Sequence, residues 1–259
     1  MTHSKPDMTH EVREENGFKY VEEGQGDVLI LLHGLFGALS NFYDILEHFR
    51  TTHKVVIPIL PLYDLPLEET TVSGYVDYVE RFVAYKGYDN VIVLGNSLGG
   101  HIALIYTLRN LQKVKGVVLT GSSGLFESAM GDSYPKRGDY DYIKRKAELT
   151  FYDPKHASKE LVDELFDIVN DRNKVIRVLA TAKSAIRQNL AEEVGTITAP
   201  TLLIWGKNDT ITPPFVGEEF HKLIPNSKLL FIDQCGHAPM MEQPEEFNRY
   251  LDSFLKELK

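Results

Sequence analysis

The run Gly95-Asn96-Ser97-Leu98-Gly99-Gly100 sets a serine between glycines, directly after the apolar segment Val91 to Leu94 and before the helix-period segment His101 to Leu108. A G-x-S-x-G placed between strand and helix forces a tight turn with strained dihedrals at the serine, and small neighbours keep the turn from colliding with adjacent elements. The turn lifts the serine Oγ clear of the sheet and aims the first amides of the following helix at the reacting centre. Taken alone, the pentapeptide is also compatible with a glycine-rich turn carrying an N-cap serine. Its position between strand and helix favours the nucleophile.

A serine hydroxyl attacks poorly until a base removes its proton, and the base needs an orienting acid. Each should lie just beyond a later strand. Trp205-Gly206-Lys207-Asn208-Asp209 supplies Asp209, and Gln234-Cys235-Gly236-His237 supplies His237. Asp233 competes for the acid role, but it lies at a strand end and too close in sequence to His237. Ser122 and Ser123 occupy the alternative acid position after Gly121. Of the nine histidines, His33 and His101 also fall near the expected site, and both read as structural. The chain order Ser, Asp, His then gives the triad Ser97, Asp209 and His237.

The developing alkoxide needs hydrogen-bond donors. His33-Gly34-Leu35-Phe36-Gly37 follows the first buried strand, where the backbone N–H of Leu35 is one candidate donor. The N–H of Leu98, just after the nucleophile, is the second. Losing one such donor costs on the order of 3 kcal/mol of transition-state stabilisation. The donors are amides, so the leucine side chains carry no chemistry.

Elements that could position these groups alternate along the chain. Val28–Leu32, Val55–Ile57, Val91–Leu94, Val117–Leu119, Leu202–Trp205 and Leu229–Ile232 are continuous apolar runs, as in strands buried on both faces. Phe18 to Glu22 alternates and reads as an exposed edge strand. Stripes at Phe42, Ile45, Leu46 and Phe49, at Val72, Tyr75, Val76, Val79 and Phe82, and at Phe247, Tyr250, Leu251, Phe254 and Leu255 mark helices. Pro244 suits the first turn of the last one. The fold class is therefore α/β, a mostly parallel central sheet flanked by helices. Between Gly121 and Ala199 the rhythm breaks, with helices expected around Leu161–Val169 and Val175–Ile186. The expected organisation is a core of residues 16–121 and 195–259, a helical cap of residues 122–194 inserted into it, and an N-terminal extension of residues 1–15.

Composition narrows the partners. The 259 residues carry a net charge of -9, unsuited to a nucleic-acid surface. The short basic runs Lys136-Arg137 and Lys144-Arg145-Lys146 read as solvated faces. Val28 to Leu32 is far too short to span a bilayer, and Met1 to Glu15 has no apolar core of a secretory signal. With Cys235 alone, no intrachain disulfide forms. No nucleic acid, no membrane and a cytoplasmic location are expected, with a homodimer left open.

From Phe18 to the C-terminus the chain resembles the α/β-hydrolase superfamily. The resemblance rests on His33-Gly34-Leu35-Phe36-Gly37, Gly95-Asn96-Ser97-Leu98-Gly99-Gly100, Trp205-Gly206-Lys207-Asn208-Asp209 and Gly236-His237-Ala238-Pro239, continuing into Met240-Met241-Glu242-Gln243-Pro244. It implies the α/β-hydrolase fold with a helical cap. Small carboxylesterases and the C–C hydrolases of aromatic ring-fission products are the nearest groups. Asn96 before the serine and Ser123-Gly124-Leu125-Phe126 look like the second group. Against it, Leu165 stands where that group usually has an arginine, and Ala238 where it usually has tryptophan. The superfamily's Asp-x-Pro-Gly-x-Gly segment is replaced by Leu60-Pro61-Leu62-Tyr63-Asp64-Leu65-Pro66.

The expected reaction is acyl transfer through an acyl-enzyme on Ser97, a chemistry that needs no metal and no organic cofactor. Its partner would be a small to medium, moderately hydrophobic ester. Phe36, Phe126, Phe166 and Met240 are the expected substrate-binding residues, with Tyr134, Tyr140, Tyr142, Phe151 and Tyr152 as further cap aromatics. The alternatives are C–C, thioester, lactone or perhydrolase chemistry, or a non-catalytic ligand-binding protein on the same scaffold.

Overall fold

The structure is a computed structural model that describes residues 10–37, 39–127 and 137–258. Tyr134, Lys136 and the first nine residues of the expected N-terminal extension lie outside the described residues.

The strands are β1 (Arg13–Glu15), β2 (Phe18–Glu23), β3 (Val28–Leu32), β4 (Lys54–Pro58), β5 (Val91–Asn96), β6 (Val114–Thr120), β7 (Thr201–Gly206) and β8 (Ser227–Ile232). They form one sheet in the order β1-β2-β4-β3-β5-β6-β7-β8. β1 and β2, and β2 and β4, pair antiparallel, and every other pair is parallel. The continuous apolar runs of β3, β5, β6 and β7 follow from this arrangement, because helices cover both faces of these strands. β8, at the sheet edge, leaves Leu229, Leu230 and Phe231 only partly buried, contrary to expectation.

Along β3, Leu29 and Leu31 join the apolar cluster on one face, while Ile30 and Leu32 join the cluster on the other. β7 divides in the same way, with Leu203 and Trp205 opposite Leu202 and Ile204. One face is covered by α1 (Tyr43–Phe49) and α9 (Pro244–Glu257), which contribute Ile45, Phe49, Phe247 and Leu251. The other lies under α2 (Val72–Lys86), α3 (Leu98–Arg109) and α7 (Pro214–Leu223), which contribute Val76, Phe82, Ile102 and Phe220. Each such fully buried aliphatic or phenyl side chain is worth about 1.5–3 kcal/mol.

Phe18–Glu22 departs from expectation. β2 is not the sheet edge, since β1 pairs outside it and Tyr20 and Val21 are fully buried. Tyr20 joins the apolar cluster on one face and Val21 the cluster on the other, so β2 is covered on both faces at its centre, with its outer rim held by the wholly polar Arg13-Glu14-Glu15.

Between β6 and β7 the chain passes through α4 (Tyr140–Glu148), α5 (Lys159–Asn170) and α6 (Arg172–Arg187). Side-chain caps begin each of them: Asp139 accepts from Tyr142 N, Ser158 from Leu161 N, and Asp171 from Asn173 N and Lys174 N. These helices are tied to the start of α2. Thr181 and Tyr75 hydroxyls meet at 2.8 Å, Val72 N donates to Ser184 Oγ at 3.0 Å, and Gln188 Nε2 donates to Ser73 Oγ at 2.7 Å. Arg177 Nε donates to the carbonyl of Leu65 at 3.1 Å. No helix among the described residues is long and apolar enough to cross a membrane.

Candidate active site

The carboxyl end of β5 runs straight into α3, and the residue at the junction is Ser97, at φ 55° and ψ -122°. Few non-glycine residues adopt a positive φ, and such strain persists only where surroundings enforce it. Here they do. A Cβ on Gly99 would overlap the carbonyl of Leu32, so only glycine lets α3 start this close to β3. Ser97 N donates to Thr120 O at 3.2 Å, and Ser97 O accepts from Gly100 N at 2.9 Å and Ser123 N at 3.1 Å. The turn is held from β6 and from its own helix.

Asp209 lies in the loop after β7, almost fully buried. Four donors converge on its carboxylate. Ile211 N and Thr212 N reach Oδ1 at 2.8 and 2.9 Å, while Thr212 Oγ1 and His237 Nδ1 each reach Oδ2 at 2.9 Å. The turn that aims it is set by Trp205, whose indole N–H donates to Thr212 O at 2.8 Å. The loop is also locked to its neighbour: Asn208 N donates to Cys235 O at 2.9 Å, and a Cβ on Gly206 would overlap the carbonyl of Gly236.

His237 follows β8 and is buried. Its Nδ1 is bonded to Asp209, and no hydrogen bond among the described residues takes Nε2, as the tautomer of a general base requires. The imidazole lies against Gly121, where an added Cβ would sit 2.9 Å from Nδ1. Gly121 directly follows Thr120, whose carbonyl holds Ser97 N. Asn96 completes the connection, with Nδ2 donating to Thr120 O at 3.0 Å and to His237 O at 3.1 Å. Three distant segments therefore converge on the carboxyl ends of β5, β6 and β7.

Leu98 is the first residue of α3, so its N–H has no intrahelical acceptor. The loop from His33 to Gly37 lies alongside the serine, since a Cβ on Gly34 would stand 3.2 Å from Ser97 Cβ. Among the described residues, no backbone bond outside helices and strands uses the amide of Leu35 or Leu98. The loop is stiffened by His33. Leu60 N donates to its Nε2 at 3.1 Å, so the proton sits on Nδ1, which donates to Gly34 O at 2.9 Å. Burial holds His33 below the ordinary histidine range, in the neutral form this bonding needs. Tyr63, from the segment that replaces the usual glycines, donates its hydroxyl to Leu35 O at 3.3 Å.

His101 is fully buried and donates from Nε2 to Gln188 O at 2.8 Å. It ties α3 to the inserted helices. Burial pushes its pKa down to about 4.

The expected pocket residues separate. Phe36 lies in the Leu35 loop, partly buried. Phe126 packs edge-on against the exposed Phe215, ring centres 5.2 Å apart. Phe166 pairs with Tyr140 at 5.4 Å within the inserted helices, an arrangement that joins α4 to α5. Met240 is 1% exposed and belongs to the cluster containing Phe42, Phe151 and Phe247. Its side chain fills the core below the site.

Other polar features lie at the opposite, amino end of the parallel strands. A cleft of about 610 Å³ there is lined by Arg13, Glu22, Glu23 and Lys54 and offers no nucleophile. His10, Glu23 and Glu47 cluster nearby, where Arg50 already takes both glutamates, at 2.9 and 3.1 Å.

Residues 29–250 match the family model described as the alpha/beta hydrolase family. An α/β-hydrolase enzyme from the metagenome of sediments from the lagoon of Mar Chica, Morocco, is 44% identical, with 95% of this chain and 98% of that one covered and a TM-score of 0.80. A 2-hydroxy-6-oxononadienedioate/2-hydroxy-6-oxononatrienedioate hydrolase from Pseudomonas putida is 28% identical over 92% of this chain and 91% of its own. Lipase 1 of Psychrobacter immobilis is 27% identical over 88% of this chain and 77% of its own.

Proposed function

The chain belongs to the alpha/beta hydrolase family, and on that premise we propose that it is a serine hydrolase cleaving small to medium carboxylic esters. The observation that carries this is the Asp209–His237 bond at 2.9 Å, joined through Asn96 and Gly121 to the strained turn at Ser97. A ligand-binding protein has no use for a strained serine whose turn is tied to the loop of an oriented imidazole.

In this reading His237 Nε2 takes the proton from Ser97 Oγ as the oxygen attacks the ester carbonyl. The amides of Leu35 and Leu98 receive the oxyanion. As the tetrahedral intermediate collapses, the C–O bond to the alcohol breaks and His237 protonates the departing oxygen. A water then gives its proton to the same imidazole and attacks the acyl-enzyme, releasing the acid and restoring Ser97. Asp209 keeps the imidazole in its tautomer and stabilises the imidazolium. The inserted helices act as a cap over this centre.

C–C bond hydrolysis is the second reading. The resemblance to the Pseudomonas putida hydrolase favours it, as does Asn96 before the nucleophile. Ester cleavage is preferred because Leu165 leaves no arginine before Phe166 for a substrate carboxylate, and because the similarity extends to a lipase.

Turnover of p-nitrophenyl acetate through octanoate, measured beside a vinylogous diketone acid, separates the two. Ester turnover that is lost in Ser97→Ala supports the first reading. Turnover of the diketone alone moves the protein to the second.

A further inference from the structure

Glu242 is a buried carboxylate with no cation paired to it among the described residues. It is 8% exposed, in the short helix α8 (Pro239–Glu242). Among the described residues, its hydrogen bonds are to backbone N–H groups. Oε1 accepts from Gly236 N at 2.9 Å and from Ala238 N at 3.4 Å, the residues on either side of His237. Oε2 accepts from Tyr152 N at 2.7 Å, in the inserted segment that follows α4. The same two segments meet a second time, where His237 N donates to Thr150 O at 2.8 Å.

Burying a carboxylate away from countercharge is expensive. Burial raises the Glu242 pKa, three amides pull it back, and the charge of Asp209 raises it further. A neutral packing residue would hold α8 in place without this cost, but could not accept from both segments at once.

We propose that Glu242 is a positioning residue, a two-sided clamp that fixes the His237 loop to the inserted segment Thr150–Tyr152. The imidazole is thereby placed by the cap as well as by Asp209. Any movement that carries Thr150–Tyr152 away from the sheet also displaces His237, so a substrate that seats this segment also seats the base. The kinetic part rests on the ester-hydrolase reading, whereas the clamp itself does not.

Glu242→Gln tests it with little change in shape. A carboxamide has one acceptor oxygen, so it keeps either the Gly236 side or the Tyr152 side and presents an N–H donor to the other. Amide hydrogen exchange is measured by mass spectrometry on the intact protein, together with kcat and KM for the p-nitrophenyl ester and the rate of fluorophosphonate inactivation. Exchange should rise in the peptides containing Tyr152 and Gly236 while the β5 peptide stays protected. The kcat and the inactivation rate should fall together by roughly 10- to 100-fold, with KM nearly unchanged.

Wild-type kinetics in Glu242→Gln would overturn the proposal. So would an activity loss accompanied by equal deprotection of β5, which is what a merely structural role produces. If the unsubstituted protein neither labels nor turns over ester, the ester-hydrolase reading fails. The exchange pattern would still decide the clamp.

Discussion

Asn96 holds the backbone of His237. Its side-chain amide donates at 3.1 Å to the histidine carbonyl and at 3.0 Å to Thr120 O, so the residue before the serine also fixes the His237 loop. Asn96→Ala strands the carbonyl of His237 beside a buried site and leaves Thr120 O to the Ser97 N–H. The expected cost is about 1–3 kcal/mol of stability, with kcat reduced by up to roughly 10²-fold and KM little changed. Urea unfolding and steady-state kinetics check both. Unchanged kcat with lowered stability would leave Asn96 a purely structural residue.

The backbone at Ser97 stores strain at φ 55° and ψ -122°. Ser97→Gly and Ser97→Ala should both be inactive, but glycine relieves the strain and alanine does not. Ser97→Gly should therefore be the more stable by on the order of 1 kcal/mol, net of the entropy glycine loses on folding. Equal melting temperatures for the two variants would mean that the turn is not strained in solution.

Tyr63 stands in the segment where the superfamily's usual glycines are missing, and its hydroxyl reaches Leu35 O. Tyr63→Phe removes one hydrogen bond of the Leu35 loop and leaves the ring. We expect kcat/KM to fall by about 0.5–1.5 kcal/mol in transition-state terms. Inactivation by fluorophosphonate should slow in parallel, and a variant as fast as the parent would detach Tyr63 from the loop's geometry.

His101 gives stability a pH dependence. Its pKa falls from 6.5 to about 4 through burial, so below the higher value the unfolded chain takes a proton that the folded protein refuses. The contribution is fully present above the unfolded pKa and is lost as pH falls through that window. The raised Glu127 and Glu242 carboxyls act in the opposite sense. Glu242 is common to parent and variant, and Glu127, whose Oε1 lies 3.9 Å from His101 Nδ1, keeps its bond from Gly124 N in both. Between about pH 7 and about pH 4.5, His101→Gln should lose less stability than the parent. Equal losses in urea midpoints would contradict this.

The buried strands were legible because parallel strands covered on both faces must be continuously apolar, as Val28–Leu32 and Leu202–Trp205 are. The serine turn and the loops of Asp209 and His237 were legible because glycine is demanded wherever backbone meets backbone, as at Gly99 and Gly206. β1 was not, because Arg13-Glu14-Glu15 rims the sheet in solvent and carries no apolar signal. α4 was hidden for a similar reason, burying only Ile143 and Ala147. Met240 reads as a pocket residue because a thioether side chain looks the same in a core and in a cavity, and here it packs among Phe42 and Phe247. Glu242 fell inside the segment that carries the resemblance, but its role was hidden, since a carboxylate ordinarily faces water and only the folded backbone brings three N–H groups to it.

The central claim is that Ser97 is a nucleophile activated by His237. A fluorophosphonate adduct located by tandem mass spectrometry tests it most directly, in the parent protein and in His237→Ala. The expected result is a single adduct on Ser97 in the parent, with labelling slowed by orders of magnitude when the imidazole is removed. An adduct on Ser122 or Ser123, or labelling of Ser97 at the same rate without His237, would contradict the account.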